Sequence, residues 1–196
     1  MQNILLLGDS IRQNYQSYVK EQLREANVFY PNDNGRSTQF TLLYFHRWWD
    51  ILSEGGKIQF DVVHFNCGLW DILRLSNENE PFTPEDIYRR MLTRIYERIK
   101  FYCPDAKIVF ALTTSVIEPG YAYEEQAKRY NHDIERYNRI AIETFDNIQD
   151  VDINDLYAVS ISLPHEAHSD FVHFETDIGI KALGNQVLDC LRRNMK

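Results

Sequence analysis

The chain has 196 residues, a net charge of −8, 44% hydrophobic residues and 26% charged residues. That length serves one domain with a core large enough to stand without disulfides or metals, and the composition is globular rather than disordered. The negative balance, with no run of Lys or Arg longer than a pair, argues against nucleic acid and anionic lipid as partners.

The three cysteines, Cys67, Cys103 and Cys190, form no C-x-x-C pair, and their odd number fits a reducing compartment. Met1-Gln2-Asn3 runs straight into an apolar stretch at 4–7, with no basic segment and too few residues for a signal peptide or a membrane span. A cytoplasmic location is therefore expected. No internal repeat or linker divides the sequence, so a single domain over 1–196 is expected.

In chain order, the apolar run at 4–7 ends in Gly8-Asp9-Ser10 and reads as a strand buried on both faces. Val19, Leu23 and Ala26 recur at helical spacing. Val28, Phe29 and Tyr30 make a weaker strand. Leu42, Phe45, Trp49 and Leu52 mark a helix, and Val62–Phe65 a strand that ends in Asn66-Cys67-Gly68. Thr83-Pro84-Glu85-Asp86 offers an N-cap, a proline at the first helical position and two acids in the first turn. Ile87, Met91, Ile95 and Ile99 continue that helix. A strand at 108–112 follows, then a helix marked by Ala127, Tyr130, Ile134, Tyr137 and Ala141. A weak strand at 148–153 and a last helix through Ile180, Leu183, Val187 and Leu191 close the chain. Alternating strands and helices predict a parallel sheet with helices on both faces. In such sheets ligands gather outside the carboxyl ends of the strands, which singles out Gly8-Asp9-Ser10, residues 66–71 and Thr113 onward.

Ser10 ends a strand where a helix begins. It reads either as the helix cap or as a nucleophile beside outward-pointing backbone N–H groups. A serine nucleophile needs a base, and the base needs an orienting carboxylate. Of the six histidines, His64 lies inside a strand as a packed core residue, and His46 and His132 lie within helices as structural or surface residues. Asp170-Phe171-Val172-His173 is different: in one turn before the last helix, a carboxylate three residues ahead of an imidazole can face it.

Gly8-Asp9-Ser10-Ile11 near the start and Asp170-x-x-His173 near the end resemble the first and last blocks of the SGNH (GDSL-type) hydrolases. Asn34-Gly35 after the second strand, Asn66-Cys67-Gly68-Leu69-Trp70-Asp71 after the third and Tyr137-Asn138 in the long helix are similar to further family features, in the family's order. The resemblance implies a three-layer α/β/α fold with a five-stranded parallel sheet of flavodoxin-like order 2-1-3-4-5. It implies an ester or thioester hydrolase that needs no cofactor or metal, with Ser10 as nucleophile, His173 as base and Asp170 as its orienter. The oxyanion donors would be the N–H groups of Ser10 and Gly35 and an asparagine side chain. Here the sequence departs from the family's Gly-x-Asn-Asp, because Trp70 stands where the asparagine would be. Asn66, two residues before Gly68, is the expected substitute, set against a plain strand-end cap; Trp70 reads as a pocket wall in preference to an indole donor.

Tyr121 and Tyr123, with Trp70, suit a sugar ring or an aromatic leaving group, or else pack as surface tyrosines. His165, His168, Asp170 and His173 have zinc-ligand chemistry but lack helical H-E-x-x-H spacing, so the two extra histidines are expected at a pocket rim or in solvent. No phosphate-cradling glycine motif is present. The expected activity is removal of a short acyl group, such as acetyl, from a small or carbohydrate-like ester. The alternatives are a catalytically weak binding module on the same fold and an acyltransferase.

Overall fold

A computed structural model describes residues 1–121 and 126–195. The strands are β1 (Gln2–Leu7), β2 (Ala26–Phe29), β3 (Val62–Phe65), β4 (Arg74–Leu75), β5 (Lys107–Ala111), β6 (Ala127–Lys128) and β7 (Val151–Asn154). The helices are α1 (Ser10–Gln22), α2 (Thr38–Leu52), α3 (Glu85–Tyr102), α4 (Asn131–Phe145), α5 (Leu156–Ile161) and α6 (Asp177–Asn194).

Five strands form one parallel sheet in the order β2-β1-β3-β5-β7, which is 2-1-3-4-5 counted over the sheet strands alone. Parallel strands need crossovers, and the helices that supply them cover both faces. α1 packs on α6, which also carries α5, while α2 packs on α3 and α3 on α4. The sheet's interior strands are therefore buried on both sides. Residues 4–7 and all of β3 are buried, which explains continuous apolar runs in place of alternation. β4 and β6 form a separate antiparallel ribbon. Arg74 of that ribbon grips the buried Asp133 of α4 with two nitrogens at 2.8 and 2.9 Å.

Three expectations about element ends change. Leu23 caps α1, its N–H bonding to Val19 O, and Ala26 opens β2 beside Gln2. The apolar spacing that suggested a longer helix comes from Ala26 and Val28 facing the core on alternate positions of a strand. Thr83 does not cap α3: Pro84 precedes its first residue, and Tyr88 N–H reaches Pro84 O at 2.8 Å. Thr83 is buried instead, its N–H on Asp71 O at 2.8 Å. Ala127 pairs with Leu75 in the ribbon, and Tyr130 only precedes α4. Among the described residues, no helix is long and apolar enough to cross a membrane.

Candidate active site

The first loop of the site leaves β1 at Gly8, whose φ is +146°. A Cβ there would lie 1.8 Å from Asn66 Oδ1, so glycine is what lets the Asn66 side chain lie against the turn. Asp9, fully buried, caps α1 by accepting from Ile11 N–H at 3.0 Å. Burial pushes its carboxyl above the ordinary aspartate range, against the opposing pull of Asn66 and the Ile11 N–H. The cap is thus Asp9 and not Ser10, which stands as the first residue of the helix. Its N–H is among the first-turn donors that find no acceptor within a helix.

The last loop comes from the other end of the chain. Asp170 Oδ1 accepts the backbone N–H groups of Val172 and His173, each at 2.7 Å, and Ser169 N–H closes on His173 O at 2.9 Å. This local turn frees Oδ2 to accept His173 Nδ1–H at 2.7 Å. Nε2 then faces Ser10 Oγ at 2.9 Å. Asn14 of α1 holds the Phe174 N–H at 3.2 Å, and the buried Phe174 ring anchors the loop in the core. Burial raises the Asp170 carboxyl, but the bonds from His173 and from the two backbone N–H groups outweigh it, and its pKa lies below the usual value. Asp170 is therefore ionised at neutral pH, as an orienter of an imidazole must be.

The groups expected as oxyanion donors divide. Gly35 N–H bonds to Gly8 O at 2.8 Å. It is committed to the turn that carries Ser10, so its expected role as an oxyanion donor is corrected. The reason is close approach: the Gly35 backbone lies so near Gly8 that their amide and carbonyl pair with each other. Asn66 follows β3 directly and is buried next to Gly8 and Asp9, one strand over from the serine. Its Oδ1 is buried and has no hydrogen-bond partner. Trp70 is half-buried on the turn that follows. Gly68, at φ +155°, would drive a Cβ to 2.0 Å from Thr113 Oγ1, so this turn packs directly on the end of β5.

Tyr121 meets Phe171 edge-on, with ring centroids 5.4 Å apart, which sets it beside the Asp170 loop. Tyr123 lies outside the described residues. His165 and His168 border a cavity of about 210 Å³ with Ile117, Ser169, Asp170 and Phe171. His46 is exposed on α2, while His64 is fully buried with Nε2 3.1 Å from Asn154 Nδ2. Among the described residues, no three His, Cys, Asp or Glu side chains converge on a point that a metal could occupy.

Of four polar residues that build this site, sequence reasoning named Asp9, Asp71 and Asn138 within its motifs without giving them a structural role, and it missed Arg12. Arg12 is buried beneath the site. Asp9 caps the helix. Asp71 accepts Thr38 Oγ1 at 2.6 Å and Thr38 N–H at 3.0 Å, fixing the start of α2. Asn138 accepts from Thr113 N–H at 2.8 Å and donates to Thr113 O at 2.9 Å, tying off β5. The signal for Arg12 is a polar residue on the apolar face of a helix, beside the buried Ile11 and Tyr15.

Neither a protein-family model nor a curated protein matches the sequence. Solved structures do. A lipolytic protein of the G-D-S-L family from Veillonella parvula superposes with a TM-score of 0.69 at 14% identity, over 98% of this chain and 100% of that one. A carbohydrate esterase of family 3 from Talaromyces cellulolyticus gives 0.69 at 15% identity, over 98% and 97%. A candidate platelet activating factor from Streptococcus pneumonia gives 0.75 at 20% identity, over 97% and 84%. The fold is that of the SGNH (GDSL-type) hydrolases. Within the SGNH fold, Ser10 and His173 of this chain meet at the carboxyl edge of the sheet, where the strand order reverses between β1 and β3, and Asn66 follows β3 against Gly8.

Proposed function

We propose that this chain is a serine ester hydrolase that removes a short acyl group, such as acetyl, from a small or carbohydrate-like ester. The observation that carries the reading is the continuous chain from Ser10 Oγ to His173 Nε2 at 2.9 Å and from His173 Nδ1 to Asp170 Oδ2 at 2.7 Å. In this reading Ser10 Oγ attacks the ester carbonyl as His173 takes its proton. Asp170 holds the imidazole with its hydrogen on Nδ1 and stabilises the imidazolium. The oxyanion forms at the N-terminus of α1, where Ser10 N–H and the Asn66 amide are its donors. His173 returns its proton to the leaving alcohol. It then activates a water that releases the acyl group from Ser10.

A second reading, a binding module with weak turnover, draws support from the Gly35 N–H, which is spent on Gly8 O. Labelling with a fluorophosphonate probe separates the two. The ester-hydrolase reading expects stoichiometric label on Ser10, hydrolysis of p-nitrophenyl esters that falls with acyl length, and loss of both in Ser10→Ala. It is abandoned if the probe does not react, or if Ser10→Ala keeps its activity. Added alcohols that divert the acyl group would reassign the chain as an acyltransferase.

A further inference from the structure

Arg12 lies two residues after Ser10 and is fully buried. Its Nη1 donates to Pro31 O at 2.8 Å and to Gln16 Oε1, and its Nη2 donates to Gly8 O at 3.2 Å and to Asp33 O. Nε is buried without a partner. Among the described residues no carboxylate oxygen lies within 4.0 Å of the guanidinium. Burying a charge in this way is unfavourable, and an apolar side chain would fill the same place at lower cost. What the charge secures is a junction. Gly8 O, at the nucleophile turn, accepts both Arg12 Nη2 and Gly35 N–H, while Pro31 O and Asp33 O belong to the loop that delivers Gly35.

We infer that Arg12 is a positioning residue for the Ser10 site: it locks the loop at 31–35 onto the nucleophile turn, so that Ser10 and the donors around it keep one arrangement through the reaction. This rests on the ester-hydrolase reading of Ser10. A planar fork of five donors suits the task, because it reaches several carbonyls at fixed angles. A lysine ammonium has the charge but not the fork. Gln13 braces the same loop from outside, with its Nε2 on Asn32 O at 3.1 Å, and does not replace the buried junction.

The test compares wild type with Arg12→Lys and Arg12→Gly, using p-nitrophenyl acetate, and counts competent sites with a fluorophosphonate titration. Arg12→Lys should lose roughly 10–100-fold in kcat per labelled site with KM changed less than about threefold, the size expected of a small misplacement of reacting groups. Guanidinium ion at millimolar concentration should restore part of kcat in Arg12→Gly and none in Arg12→Lys. The Gly35 amide should exchange its hydrogen faster in both variants. A purely structural arginine would lower the melting temperature and leave kcat per labelled site, and its response to guanidinium, unmoved. Wild-type kcat in Arg12→Lys with unchanged exchange at Gly35 overturns the inference. If wild type takes no label and cleaves no ester, the reading of Ser10 has failed. Exchange at Gly35 then decides alone whether Arg12 holds the junction. Should Arg12→Lys not fold, Arg12→Gln, which keeps a planar donor, is read in the same way.

Discussion

In the ester-hydrolase reading, the chemistry at Ser10, His173 and Asp170 depends on which hydrogen sits on which nitrogen. Asp170 Oδ2 takes the hydrogen of His173 Nδ1, which leaves Nε2 as the acceptor for the serine. Asp170→Asn should therefore lower kcat on p-nitrophenyl acetate by about 10⁴, because the amide can present its NH₂ to Nδ1 and favour the wrong tautomer. Retention of most of the activity would mean that the backbone turn alone orients the ring. Asn66 and Trp70 answer a different question. Asn66→Ala should lower kcat by roughly 10²–10³ with little change in KM, since an oxyanion donor acts on the transition state. Trp70→Phe, which removes the indole N–H and some bulk, should mainly move KM or acyl-length preference. Steady-state kinetics on esters of graded length measure both, and the reverse pattern would hand the oxyanion to the indole.

Elements meet through a few buried polar clamps rather than through apolar contact alone. Asn138 of α4 satisfies both backbone groups of Thr113 at the end of β5, and Thr113 Oγ1 in turn donates to Cys67 O at 3.2 Å. Tyr88 OH of α3 reaches the same carbonyl at 2.9 Å. The loop that carries Asn66, Gly68 and Trp70 thus hangs from two helices and a strand. Asn138→Ala should destabilise the fold by roughly 2–4 kcal/mol in urea titrations, because it leaves a buried N–H and a buried C=O unpaired. It should also slow turnover, since Gly68 packs directly on Thr113. A loss below about 0.5 kcal/mol would show that water fills the gap.

For the whole molecule, two buried titratable groups bend the stability curve in opposite directions. Burial pulls His64 down to about 4, from an ordinary value of 6.5. Its contribution is present above pH 6.5 and is lost as pH falls through about 4, because only the unfolded chain takes up the proton readily. Burial pushes Asp71 up to about 6, from 3.8. Its contribution is present below 3.8 and is lost as pH rises through about 6, with the bonds from Thr38 and Thr83 opposing the shift. Each effect is on the order of 3 kcal/mol at 1.36 kcal/mol per pKa unit, and between pH 6 and 4 they largely cancel. Asp71→Asn removes one of the two. Relative to wild type, it should lose on the order of 2 kcal/mol of stability between pH 6 and 4.5, read from urea midpoints at several pH values. Parallel curves for the two proteins would mean that Asp71 titrates normally in the fold.

The sequence by itself determined the sheet, its strand order through the family resemblance, and the grouping of Ser10, His173 and Asp170. Continuous apolar runs at 4–7, Val62–Phe65 and 108–112, short and followed by Gly, Asn or Thr, suit strands buried on both faces, and the Asp170-to-His173 spacing closes within one turn, so both are local facts. Element ends were less legible, because an apolar residue at helical spacing, such as Ala26 or Ala127, serves equally well on the inner face of a strand. Only the tertiary structure decided which backbone groups face the serine. Gly35 N–H turned to Gly8 O, and Arg12 came to lie under the site, through contacts between segments more than 18 residues apart that no spacing along the chain encodes.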